Sequence, residues 1–88
     1  MNNHKILNNF SFLTYTFHDE RVTDEMMLYT VEYCNEYDIE ILDVERHVSH
    51  GDEYTSITIV IKVKGMYDMT EAKEYARARY VGVRAVRE

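Results

Sequence analysis

The chain has 88 residues, 45% apolar and 30% charged, with 16 acidic against 10 basic side chains and a formal net charge of −6. That length allows one core, a single sheet face under two helices, so one domain over residues 1–88 is expected. The charge excludes a nucleic-acid reader, whose phosphate contacts need clustered Lys and Arg, and docking on an anionic membrane; a protein partner with a basic surface suits it better.

Cys34 is the single cysteine. It has no partner for an internal disulfide, which suits a reducing compartment. No apolar run approaches the ~18 residues of a membrane span, and nothing at the start reads as a signal peptide, so a cytoplasmic location is expected. Tyrosine is frequent, with eight residues, while proline and tryptophan are absent.

After a polar start, "MNNHK", the segment "FSFLTYTF" alternates. Leu13, Tyr15 and Phe17 share one face; Phe10, Phe12, Thr14 and Thr16 share the other. Aromatic and β-branched residues at period two predict a strand, ended by the polar "HDER". Thr23 is placed to cap a following helix, with Asp24 and Glu25 in its first turn and a Val22–Met27 staple. In "DEMMLYTVEYCNEY" the core face centres on Met27, Val31 and Cys34, flanked by Met26, Thr30, Tyr33 and Tyr37. Cys34 then reads as a small core residue.

"IEILDVERHV" predicts a second strand, with Leu42, Val44 and Val48 on one face and Ile41, Asp43, Glu45 and His47 on the other. The turn "SHGDE" leads into "YTSITIVIKVKG", whose Ile57, Ile59, Ile61 and Val63 mark a central strand. Beyond Gly65, Asp68 and Glu71 form a capping box for a second helix. The tail "YVGVRAVR" reads two ways. As a helix it sets Arg79 among Ala72, Tyr75, Ala76 and Val83, with Val81 on the far side. As a strand it aligns Val81, Val83 and Ala85, and its valines and Gly82 favour this reading. The expected fold is therefore α+β: a βαββαβ sandwich, its antiparallel sheet carrying both helices on one face.

That order is ferredoxin-like, and "NEYDIEILDVERHVSHGDEYTSITIVIKVKG" with the closing "ARYVGVRAVRE" resembles ACT domains, small ligand-sensing regulatory modules. The resemblance implies a fourth strand beside the first and a regulatory role. "VERHVSHGDEYTSITIVIK" is also similar to the regulatory domain of nickel-responsive repressors. His47 matches the first metal ligand there, but Ser49 and Thr55 stand where the other two would be. The architecture is implied; no metal or other cofactor is.

The expected fold gathers His18, Asp19 and Glu20 with His47, His50, Asp52 and Glu53 at one end of the sheet. Imidazoles and carboxylates together ligate zinc or nickel, or move protons. His-x-x-His in a turn lacks the fixed geometry of a helical pair, however, so a solvated loop or a surface for a ligand or partner is favoured. No nucleophile with a base at diagnostic spacing, phosphate-binding glycine loop or paired-cysteine motif is present, and no enzyme is expected. The helix-free sheet face, with Phe10, Phe12, Thr14, Thr58 and Val60, is apolar enough to imply a homo-oligomer interface. These features point to a non-enzymatic homo-oligomeric regulatory or protein-interaction module. The alternatives are an ACT-like ligand or metal sensor at the His-rich edge, and a small acidic phage-type inhibitor of a basic host protein.

Overall fold

The longest apolar alternation in the chain becomes the centre of its sheet. The computed structural model describes residues 9–87 and shows β1 (Phe10–Phe17), α1 (Glu20–Glu36), β2 (Ile41–His50), β3 (Thr55–Lys64) and α2 (Thr70–Arg87) in that order. The expected polar start "MNNHK" lies outside the described residues. Among those residues the chain is α+β, with an antiparallel three-stranded sheet ordered β1-β3-β2. β3 pairs with β1 from Phe17↔Ile57 to Phe10↔Lys64, and with β2 from His50↔Thr55 to Ile41↔Val63. Leu13, Tyr15, Ile57, Ile59, Ile61 and Val63 are buried on the face that meets the helices. Each such side chain contributes about 1.5–3 kcal/mol of hydrophobic stabilisation.

α1 begins three residues before the expected Thr23 cap. Asp19 is the cap: its Oδ1 accepts from the N–H groups of Arg21 at 2.8 Å and Val22 at 3.2 Å. Glu20 then faces the positive end of the helix. Thr23 is instead buried in the first turn, its hydroxyl donating to the Asp19 carbonyl at 2.8 Å. At the other end Asp38 takes φ 55°, and Ile39 N–H donates to the Cys34 carbonyl at 2.8 Å. This left-handed stop turns the chain so that Ile39 enters the core.

The buried stripe of α1 is Thr23, Met26, Tyr29, Thr30 and Cys34. Relative to expectation the helix is rotated, and Met27 and Val31 are only half-buried, because α2 lies beside α1 and claims Tyr29 and Tyr33 for the seam. One buried hydrogen bond locks α1 to the sheet. The Tyr15 hydroxyl lies 2.7 Å from Thr30 Oγ1, which itself donates to the Met26 carbonyl at 2.8 Å. Thr30 has one proton, so Tyr15 is the donor. Burial pushes the Tyr15 phenol above its usual pKa.

β3 ends at Gly65, where φ is 109° and an added Cβ would lie 2.7 Å from the Tyr67 ring. The Ser11 hydroxyl pins this corner to β1, donating to the Gly65 carbonyl and accepting from Tyr67 N–H, both at 2.7 Å. Asp68 then accepts from Thr70 N–H at 3.1 Å, and its hydrogen bonds with Thr70 hold the carboxyl below its usual pKa. Glu71 is not its capping partner; the carboxylate accepts from the Tyr33 hydroxyl at 3.3 Å.

The expected fourth strand is helix instead. Residues 80–87 continue α2 without a break, so the βαββαβ order gives way to βαββα among the described residues. Arg79, the obstacle to a helical reading, finds a place on the seam. Its guanidinium lies over the Tyr29 ring at 5.2 Å and donates to Glu32 Oε1 at 3.3 Å, and that carboxylate raises the Arg79 pKa. Val81 stays 59% exposed, and a single exposed valine costs little. A strand at residue 80 would also need a turn before it, and "ARAR" contains no turn residue. Gly82 offers the test. Nothing lies within 4 Å of a Cβ built there, so Gly82→Ala should stabilise the protein by about 1 kcal/mol in denaturant titration. An unchanged or lower stability would contradict the helix.

Candidate functional site

At the hairpin end, β1 and the β2–β3 turn meet as expected. His18 follows β1 directly and sets its ring edge-on against Tyr54, with centroids 4.0 Å apart. Its Nδ1 is 3.3 Å from both the Thr55 carbonyl and Ser56 Oγ. A carbonyl only accepts, so this contact requires the tautomer with the proton on Nδ1. His50 reaches the same residue, its Nδ1 3.3 Å from Thr55 Oγ1. Asp52 and Glu53, both exposed, line a shallow depression of about 280 Å³ with Ser49, Gly51, Tyr54 and Ser56.

The other three candidates lie elsewhere. His47 pairs with Thr58 across the ladder on the helix-free face, and its Nε2 sits 2.9 Å from Glu45 Oε1. Asp19 is committed to the α1 cap. Glu20 meets Arg46 at 3.0 Å on the helix side of β2, where Asp24 also meets it at 2.7 Å. The period-two geometry of a strand accounts for the split, because residues three apart, such as His47 and His50, point to opposite faces. The expected cluster thus reduces to His18, His50, Asp52 and Glu53. Sequence reading missed Tyr54, Thr55 and Arg46. For Arg46 a signal existed: it shares a strand face with Val44 and Val48, opposite two acids one helical turn apart.

Among the described residues, no three His, Cys, Asp or Glu side chains stand together in a group able to hold a metal ion. Cys34 is fully buried, and burial pushes its thiol pKa up, away from the reactive thiolate. The hairpin end offers hydrogen-bonding groups and two carboxylates on an open surface.

The helix-free face is the larger surface. Its cross-strand rows read Phe12–Lys62–Asp43, Thr14–Val60–Glu45 and Thr16–Thr58–His47. Thr16 and Thr58 join hydroxyls at 3.0 Å, and Lys62 Nζ lies 4.1 Å from the Phe10 ring centroid. Phe12 is 58% exposed. Apolar groups therefore collect on β1 and β3, acidic ones and His47 on β2, and Lys62 stands between them on β3.

Calorimetric titration with zinc or nickel should give no sub-micromolar binding, because the three histidines are divided between two faces. Tight binding lost in the His47→Ala/His50→Ala double variant would contradict that placement. No helix among the described residues is long and apolar enough to cross a membrane. No protein-family model, curated protein or solved structure matches the chain.

Proposed function

We propose that this protein is a non-enzymatic protein-interaction module that assembles as a small homo-oligomer through the uncovered face of its sheet. The observation that carries the reading is the exposure of Phe12 on a face it shares with Phe10, Thr14, Thr58 and Val60. An apolar patch that holds Lys62 over Phe10 and is bordered on β2 by Asp43, Glu45 and His47 has the makings of an interface, apolar area beside a polar rim. A binding role is also supported by what the reactive groups are doing. Cys34 is buried, and His18, His47 and His50 are each engaged with a neighbour.

The order β1-β3-β2 is that of the first three strands of a ferredoxin-like sheet, and kinship with that architecture is part of the proposal. An ACT-like ligand- or metal-sensing role is the second reading. It is favoured by the depression beside Tyr54, and the titration of that end separates it from the first.

Light scattering at micromolar concentration should give at least twice the 10.5 kDa chain mass. Phe12→Asp should return the protein to monomer, whereas Glu36→Lys on the exposed end of α1 should not. A wild-type mass near 10.5 kDa would remove the proposal.

A further inference from the structure

A three-stranded sheet has two outer edges, and here they differ. β2 carries Asp43, Glu45, Arg46 and His47 and a register shift between Ile41 and Asp43, devices that discourage a further strand. β1 contains no charged residue and pairs with β3 without a shift. The ladder shows which of its groups look outward. Gly65 N–H donates to the Asn9 carbonyl at 2.9 Å, and the same register continues through Ser11↔Val63, Leu13↔Ile61 and Tyr15↔Ile59. In an antiparallel pair the bonded residues alternate. The odd-numbered residues therefore face β3, and the N–H and C=O groups of Phe12, Thr14 and Thr16 point to the open side.

α2 runs alongside this edge in the direction of β1. One groove of about 280 Å³ lies between Phe12–Thr14 and the Tyr67–Lys73 segment, and another of about 330 Å³ lies between Thr14–Phe17 and the Lys73–Tyr80 segment. They share Thr14 and Lys73 and so adjoin each other along the edge. Phe17, Val22 and Met26 give the second groove an apolar part of its lining. Lys73 Nζ stands 5.5 Å from the Tyr15 ring centroid, and Arg77 lines the same groove. Among the described residues neither cation is in an ion pair, and no carboxylate lines that groove; Asp68 lines the first one. In a chain of net charge −6, this is a local reversal of sign beside the outer edge of β1, which among the described residues is paired on its β3 side alone.

We propose that the β1 edge binds an extended acidic segment of a partner protein as an added strand. The backbone groups of Thr14 and Thr16 supply the main-chain pairing, and Lys73 and Arg77 select the side chains. The two cations are one helical turn apart, about 6 Å of rise. Alternate residues of a strand are about 6.8 Å apart, so carboxylates at positions i and i+2 of the segment meet both. A second copy of β1 fits poorly: it carries no carboxylate, and the two-fold axis normal to the sheet that would pair two β1 edges antiparallel keeps the helices on one face and brings both Lys73–Arg77 pairs together. The inference rests on the reading of this chain as a protein-binding module, but association through the open face can fail without affecting it.

The test uses labelled peptides of the length of β1, alternating Glu with Val or Lys with Val, read by fluorescence anisotropy and by the amide signals of the ¹⁵N-labelled protein. The Glu-Val peptide should bind and shift the Thr14 and Thr16 amides, with the Lys-Val peptide weaker by about tenfold or more. The variant Lys73→Glu/Arg77→Glu should exchange these preferences, which also shows that it is folded. N-methylation of alternate peptide nitrogens should abolish binding. Equal affinity for the two peptides, no binding of Glu-Val at millimolar concentration, or undiminished binding of the N-methylated peptide would each overturn the proposal. So would shifts confined to β2 or the helix-free face, competition at the same amides by an oligonucleotide of equal charge, or concentration-dependent protection of Thr14 and Thr16 without peptide, which would place a second copy there.

Discussion

One face of β3 has to be kept from water, and the way the chain achieves this governs the rest of the molecule. Ile57, Ile59, Ile61 and Val63 lie in a row on that face, and the last three are fully buried. α1 is the helix that covers them, held over the β1–β3 pair by the hydrogen bond from Tyr15 to Thr30. With α1 so placed, α2 packs beside it rather than over β2. The seam between the helices uses small residues, Ala72, Ala76 and Cys34, together with Tyr29, Tyr33 and Tyr75. Small side chains let the helices approach closely, and the tyrosines fill the flanks while their hydroxyls reach carboxylates at the surface.

The consequence is a lopsided molecule. Both helices gather toward β1, and the helix side of β2 stays largely bare, with Leu42, Val44 and Val48 41, 40 and 49% exposed. Arg46 stands between Val44 and Val48, tied to Glu20 and Asp24. An ion pair at that degree of exposure adds at most about 1 kcal/mol. Its effect is rather to put charge and a fixed long side chain across an apolar strip at a sheet edge. Among the described residues the opposite edge has no such guard. There α2 overhangs β1 without touching a further strand, and the result is a pair of adjoining grooves with free backbone groups on one wall and cations on the other.

Much of this was legible in the residues. Period-two alternation identified all three strands, and the uninterrupted run in "ITIVIKV" named the central one. Where reading fell short, the cause was in each case a neighbour that local pattern does not show. α1 starts at Glu20 because Asp19 before it caps two N–H groups, while Thr23 satisfies its own hydroxyl one turn back and can be buried. The α1 face is rotated because α2 lies on one flank. Ile41 joins the core side because the register shift before Asp43 reverses the alternation at the start of β2. Arg79 looked like a break in an apolar face, and Glu32 and Tyr29, 47 and 50 positions earlier, remove the conflict. The His-rich end was half legible for a related reason: position along the chain brought His18 and His50 to Thr55, while strand parity sent His47 to the other side.

Because α2 stays helical to Arg87, β1 is left as an edge strand among the described residues. Amide hydrogen exchange along β1 tests this most directly. An edge strand should show alternation, with Leu13, Tyr15 and Phe17 protected by β3 while Phe12, Thr14 and Thr16 exchange orders of magnitude faster. Uniform protection from Phe12 to Phe17 would mean that a further strand is paired there, and would contradict the account.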